Sequence, residues 1–290
     1  MNNATVILDR VRKSYGGREV VHDLSYHLSP GEVVALVGHN GAGKTTQIKM
    51  MLGLVRPDAG LLRVLGADPA QGRHARQALG YLPESVQFHP SFTARETLTF
   101  YARLKGLPAQ GHEALFDRVG LADAADRPVR GYSKGMRQRL GLAQAILGQP
   151  RLLLLDEPTS GLDPALRREL YGIVADLARE GATVLLSSHA LTELEGQAGR
   201  VLVMNRGRLI ADGTMEELRR LAGLPSVLRF RADGTPQGAA RIGDHWQVKL
   251  SEAEKPAALC AALEAGARDI TLEDPSLDDI YAHFLRREAA

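Results

Sequence analysis

At 290 residues, with 44% hydrophobic and 24% charged residues, the chain carries enough apolar material for one large α/β core and a smaller appended domain, which excludes a wholly disordered chain. Lys and Arg number 36 against 34 Asp and Glu, a formal charge of +2, so no global basic field exists to neutralise nucleic-acid phosphates and no nucleic-acid partner is expected.

The amino terminus, Met1 to Thr5, has no basic segment leading into an apolar one, so no export signal is read there and a cytoplasmic chain is expected. Short apolar runs then alternate with amphipathic segments as far as about residue 222, the pattern of strands interleaved with helices around a buried sheet. None of the runs approaches the roughly 18 residues that cross a bilayer. Val33 to Val37 reads as a buried strand. It leads into Gly38-His39-Asn40-Gly41-Ala42-Gly43-Lys44-Thr45-Thr46 and a helical stretch from Gln47 to Leu54, a phosphate-binding P-loop in its required strand–helix setting. Its glycines allow backbone N–H groups to curl around a triphosphate, Lys44 reaches the terminal phosphates and Thr45 ligates Mg²⁺. His39 is an unusual member whose loop position contributes mainly backbone.

Thr93-x-x-Glu96 is a capping box for a helix over 94–104, and Ser133 caps another over 134–147. Leu152 to Leu155 form an apolar strand that delivers Asp156 and Glu157 at its carboxyl end, where ligands bind in open α/β sheets. Asp156 is the candidate Mg²⁺ ligand and Glu157 the candidate acceptor of a proton from an attacking water. Asp163-Pro164 starts a helix over 164–179, and Thr214-x-x-Glu217 starts one over 215–222. Gly223-Leu224-Pro225 breaks the pattern. Beyond it, Val227 to Phe230 and the alternating Trp246, Val248 and Leu250 suit strands, Ser251-x-x-Glu254 caps a helix ending before Gly266, and Ile270 and Leu272 suit another strand. Leu277, Ile280, Tyr281, Phe284 and Leu285 form a helix stripe. Cys260, the single cysteine, excludes an intramolecular disulfide and is expected to be a packed helix residue.

The order of these motifs over about 5 to 215 resembles the ATP-binding-cassette (ABC) ATPases. That resemblance implies an α/β P-loop NTPase domain over 1–222, with a helical subdomain over about 84–150, and a C-terminal accessory α/β domain over 226–290. It implies that Tyr15 stacks on adenine and that Ser133 and Gly135 match the diagnostic positions of the signature Leu-Ser-Gly-Gly-Gln. It also implies that Ser160 to Asp163 form the D-loop, and that Ser187-Ser188-His189 form a switch whose His189 contacts the γ-phosphate beside Glu157. In this family each signature closes on the nucleotide held by the opposite copy, so the resemblance implies a homodimer around two Mg-ATP. Glu84 stands where the lid segment usually carries a glutamine that senses Mg²⁺ and the membrane partner; Gln87 is an alternative candidate. The helical subdomain would receive a coupling helix from a polytopic transmembrane permease, with a solvated face the default for Arg95, Arg103 and Lys105.

The C-terminal α/β appendage ending Pro275-Ser276-Leu277-Asp278-Asp279-Ile280-Tyr281 resembles that of ATPase subunits paired with ABC-2-type membrane proteins, and a regulatory or dimer-supporting role is expected for 226–290. Within that group the His39-bearing P-loop and the length are similar to the NosF-type ATPases. This implies a NosY-like permease, a periplasmic NosD-like accessory protein and support for copper-site assembly of nitrous oxide reductase, from the cytoplasmic face of the membrane. The alternative is another ABC-2-type exporter, of a drug, lipid, haem or polysaccharide. The nine histidines are scattered, and ordinary surface or core use is expected for them. A soluble ABC ATPase acting on DNA or ribosomes is disfavoured by the single P-loop and the lack of heptads. A silent binding module is disfavoured because Lys44, Thr45, Asp156, Glu157 and His189 are all present.

Overall fold

The computed structural model describes residues 4–71, 77–189, 191–232 and 238–289, and His74 lies outside them. Two compact units divide the chain, Met1–Asp212 and Gly213–Ala290. In the first the elements run β1 (Val6–Tyr15), β2 (Arg18–Leu28), β3 (Val33–Val37), α1 (Lys44–Met51), β4 (Ala59–Val64), β5 (Leu79–Leu82), α2 (Ala94–Lys105), α3 (Glu113–Arg118), α4 (Lys134–Ile146), β6 (Leu152–Asp156), α5 (Pro164–Arg179), β7 (Thr183–Ser188), β8 (Arg200–Asn205) and β9 (Arg208–Gly213).

Two sheets share this unit. The larger has the order β5-β6-β7-β3-β8-β9 and is parallel from β5 through β8. Every residue of β6 and β7 is buried, which is why those strands read as unbroken apolar runs: both faces of the sheet are covered. The smaller sheet is antiparallel in the order β2-β1-β4. Its strand β2 alternates buried and exposed positions from Leu24 to Leu28, the pattern of a sheet with one buried face. Val6, Leu8, Leu24 and Leu28 from that face join Val34, Leu36, Ile48, Leu154 and Leu185 in one core, so α1 and the P-loop stand on a packed base.

The helix ends follow local chemistry. Thr93 Oγ1 accepts from Glu96 N at 3.1 Å while Thr93 N donates to Glu96 Oε2 at 2.8 Å, closing the capping box of α2. Asp163 Oδ1 accepts from the amides of Ala165 and Leu166, both at 3.0 Å, at the start of α5. Helix α1 begins at Lys44, three residues before the expected Gln47, because Gly43 in the left-handed region serves as its N-cap. Lys105 departs from the solvated-face expectation. It is half-buried, its Nζ donates to the carbonyls of Leu79 at 3.1 Å and Leu147 at 2.8 Å, and burial pulls its pKa down to about 8. Arg103 is exposed, and Arg95 pairs at the surface with Asp126 at 2.8 Å and Glu113 at 3.4 Å.

The second unit contains α6 (Met215–Ala222), β10 (Ser226–Arg231), β11 (Ala240–Ile242), β12 (His245–Leu250), α7 (Lys255–Glu264), β13 (Arg268–Glu273) and α8 (Leu277–Ala289). Its strands form an antiparallel sheet in the order β11-β12-β10-β13 around a small core of Leu228, Phe230, Leu250 and Ala262. The break expected between 222 and 226 falls inside this unit: Arg219 Nε donates to Pro275 O at 3.1 Å, tying α6 to the segment that enters α8. The Ser251–Glu254 box closes on a short 3₁₀ turn, Glu252–Glu254, ahead of α7. Cys260, expected to be packed, is exposed. Helix α7 meets the sheet through Ala258, Leu259 and Ala262, and at 100° per residue Cys260 lies on the opposite face. Among the described residues no helix is long and apolar enough to cross a membrane.

Candidate active site

Strands β6, β7 and β3 are neighbours in the parallel sheet, so their carboxyl ends bring together three segments that are far apart in the chain. β3 runs into the P-loop, β6 ends in Asp156 with Glu157 beyond it, and β7 ends in Ser187 and Ser188 with His189 beyond them. They border a cavity of about 270 Å³ lined by Val20, His39, Asn40, Gly41, Ala42, Gly43, Lys44, Thr45, Thr46, Glu84, Glu157 and His189. That volume lies just below the roughly 300–1,000 Å³ of pockets that enclose a whole drug-sized ligand.

The P-loop conformation is set by close approach. Gly43 has φ +95°, and a Cβ there would lie 2.9 Å from the Val20 carbonyl oxygen; a Cβ on Gly38 would lie 2.7 Å from the Met204 carbonyl oxygen. The turn after β8 braces the loop from behind, where Gly207 N donates to Ala42 O at 3.1 Å. Lys44 opens α1 with only 6% of its surface exposed. Its ammonium donates to the Gly38 carbonyl and stands 3.4 Å from Glu157 Oε1. A buried ammonium at a helix N-terminus, beside amides that curve around a hollow, is an anion-binding arrangement.

The two carboxylates diverge. Glu157 has φ +49°, a left-handed conformation uncommon for a residue with a side chain. Asp156, 3% exposed, accepts from Ser187 Oγ at 2.7 Å, and the same Ser187 oxygen accepts from Glu157 N at 3.0 Å. Glu157 Oε2 accepts from His189 N at 3.2 Å and sits 2.7 Å from His189 Nδ1, while Oε1 faces Lys44. With Nδ1 donating to Glu157, the imidazole keeps Nε2 for a second partner. Burial first, and then the charges of Asp156 and Glu84, push the Tyr81 phenol up to about 12. Thr45 and Glu84 line the cavity and Asp156 does not; all three carry oxygens of the kind a hard cation such as Mg²⁺ takes.

Of the two lid candidates, Glu84 lines the cavity and exposed Gln87 does not. Tyr15 also lies outside the lining; it is 47% exposed, with Lys13 Nζ 5.5 Å from its ring centroid. Ser133 Oγ accepts from Met136 N at 3.2 Å as the cap of α4, Asp163 caps α5, and neither they nor Gly135 line the cavity within this one copy. Val20 and the bridging role of Ser187 escaped the sequence. Val20 lies in an ordinary alternating strand, whereas the polar pair Ser187-Ser188 at the end of an apolar strand was a usable signal.

A family model described as ABC transporter matches residues 21–160. The Nod factor export ATP-binding protein I of Burkholderia pseudomallei (strain 1710b) is 42% identical over 218 residues, covering 73% of this chain and 72% of that protein. The uncharacterized ABC transporter ATP-binding protein YxlF of Bacillus subtilis (strain 168) is 40% identical over 217 residues, covering 73% of this chain and 72% of that protein. Among solved structures, an ATP binding subunit of an ABC transporter is 31% identical with a TM-score of 0.70, over 76% of this chain and 93% of that one.

Proposed function

This chain belongs to the family of ABC transporter ATP-binding subunits, and on that premise we propose that two copies close around two Mg-ATP, each P-loop facing the Ser133 segment of the other. ATP hydrolysis coupled to transport is the activity of the family, whose subunits dimerise and pair with a transmembrane permease. The observation that carries the site reading is the convergence of Lys44, Glu157 and His189 at one cavity, with the Glu157 carboxylate between a buried ammonium and an imidazole.

The P-loop amides and Lys44 bind the phosphates, the ammonium exchanging its contact with Glu157 for phosphate oxygens. Freed on that side, Glu157 accepts a proton from the attacking water, while His189, held through Nδ1, contacts the γ-phosphate. Thr45 and Asp156, with Glu84 as a further oxygen donor, would hold Mg²⁺, whose charge offsets that of the phosphates. Tyr15, outside the lining of this copy, is assigned the role of adenine platform. The Ser133 hydroxyl, Gly135 and the α4 N-terminus complete the phosphate clamp in the other copy, with Asp163 at the interface between the two. Closure moves the helical subdomains and the permease with them, from the cytoplasmic face of the membrane.

For the cargo, the tail ending Pro275–Tyr281 supports an ABC-2-type permease under either reading, and the His39-bearing P-loop and the length support the NosF-type one: a NosY-like permease, a NosD-like periplasmic protein and copper-site assembly of nitrous oxide reductase. The printed name of the Burkholderia relative supports the alternative, an export permease with another cargo. An affinity pull-down from native membranes with Glu157→Gln and ATP, read by mass spectrometry, separates them. A polytopic protein with a copper-handling periplasmic companion supports the first; a polytopic protein alone supports the second. Ribosomes or DNA in place of a membrane protein would overturn both.

A further inference from the structure

Beyond the cavity wall, a polar network joins the loop that follows Glu157 to the segment that follows His189. Glu193, in the 3₁₀ turn Leu191–Leu194, accepts from Thr159 Oγ1 at 3.2 Å through one carboxylate oxygen and from an Arg167 Nη through the other. Arg167, in the first turn of α5, also donates through Nε to the Leu162 carbonyl at 2.9 Å. The loop closes on itself through Ser160 N to Glu157 O at 3.1 Å and Leu162 N to Thr159 O at 3.0 Å. One carboxylate and one guanidinium therefore hold both ends of 159–162. Their side chains are only 23% and 32% exposed, where an ion pair is screened less than at an open surface.

None of Thr159, Arg167 and Glu193 lines the cavity. Each nonetheless stands close along the chain to a group that does. Thr159 is two residues past Glu157 and Glu193 four residues past His189, and those two are in contact at 2.7 Å. The left-handed backbone of Glu157 is a conformation that persists only where its flanks are held.

We propose that Glu193 and Arg167 are positioning residues for hydrolysis, a clamp that keeps the loop 159–162 and the His189 segment in one register so that Glu157 and His189 meet. This rests on the reading of Glu157 and His189 given above. The P-loop amides and Lys44 lie outside the network, so the clamp governs turnover and leaves ATP affinity alone.

The test uses the full chain with Glu193→Gln, Arg167→Met, the double variant, and the exchanged pair Arg167→Glu with Glu193→Arg. ATP affinity, kcat per ATP-binding site and thermal midpoint are measured for each. Each single change lowers kcat about tenfold while ATP affinity stays within about twofold, the double variant is no slower than the worse single, and the exchanged pair recovers part of the loss. Glu193→Gln preserves size, keeps one oxygen to accept from Arg167 and offers an amide that can donate to the Thr159 hydroxyl, so its thermal midpoint stays near that of the parent and its kcat is not a folding effect. Unchanged kcat in an active parent background, ATP affinity weakening in step with kcat, or losses that multiply in the double variant would each overturn the clamp alone. A parent chain with no ATPase activity would overturn the reading of Glu157 and His189 and the clamp with it.

Discussion

Lys44 and Glu157 depend on each other. Each is under a tenth exposed, and their charged atoms are 3.4 Å apart, so removing either leaves the other buried with less compensation. Lys44→Ala is expected to lower ATP affinity at least about a hundredfold, in line with the ~3 kcal/mol lost when a buried charge pair is broken, as read by calorimetry. Glu157→Gln keeps the shape and the contact with His189 but cannot accept the proton. It is expected to bind ATP, lose hydrolysis by roughly 10²- to 10⁴-fold and accumulate as a dimer in light scattering with ATP. The places of these two were legible because each sits in a contiguous motif: a loop between strand and helix, and an acidic pair at the end of an apolar strand. The serine bridge beside them was not. Asp156 meets Ser187 because the parallel register of β6 and β7 sets them opposite each other, 31 positions apart in the chain.

At the scale of elements, the capping boxes at Thr93 and Thr214 and the Asp163-Pro164 start were readable because they are local hydrogen-bond chemistry within three or four residues. Lys105 was not readable, since a lysine in the last turn of an amphipathic helix normally faces water. Here it bridges carbonyls from the end of α4 and from β5 and carries no carboxylate partner in those contacts. Burial disfavours its charged form, so the folded pKa of about 8 lies below the unfolded value of 10.5. Between those two values the unfolded chain binds more protons than the folded one, so this group makes stability rise with pH through that window. Denaturant melts at pH 7.5 and pH 10 should show that rise in the parent chain relative to Lys105→Met. An identical pH dependence in the two would remove Lys105 from the account.

For the whole molecule, each unit owns a hydrophobic core: Val34, Leu36, Leu154 and Leu185 among others in the first, Leu228, Phe230 and Leu250 in the second. A chain ending at Asp212 is therefore expected to unfold cooperatively and to bind ATP, as urea melts and nucleotide titration would show, whereas a chain ending at residue 222 would strand the apolar face of α6 without its unit. By itself the sequence determined the phosphate chemistry, the acidic strand end, the alternating layers and most helix starts. All of these depend on residues adjacent in the chain or on strand and helix periodicity. Only the tertiary structure decided that Ser187 bridges Asp156 to the Glu157 backbone, that Glu84 rather than Gln87 lines the cavity, that Cys260 faces water and that α6 belongs to the second unit. Each of those depends on strand order and on which face of an element its neighbour covers, and a linear pattern holds no record of either.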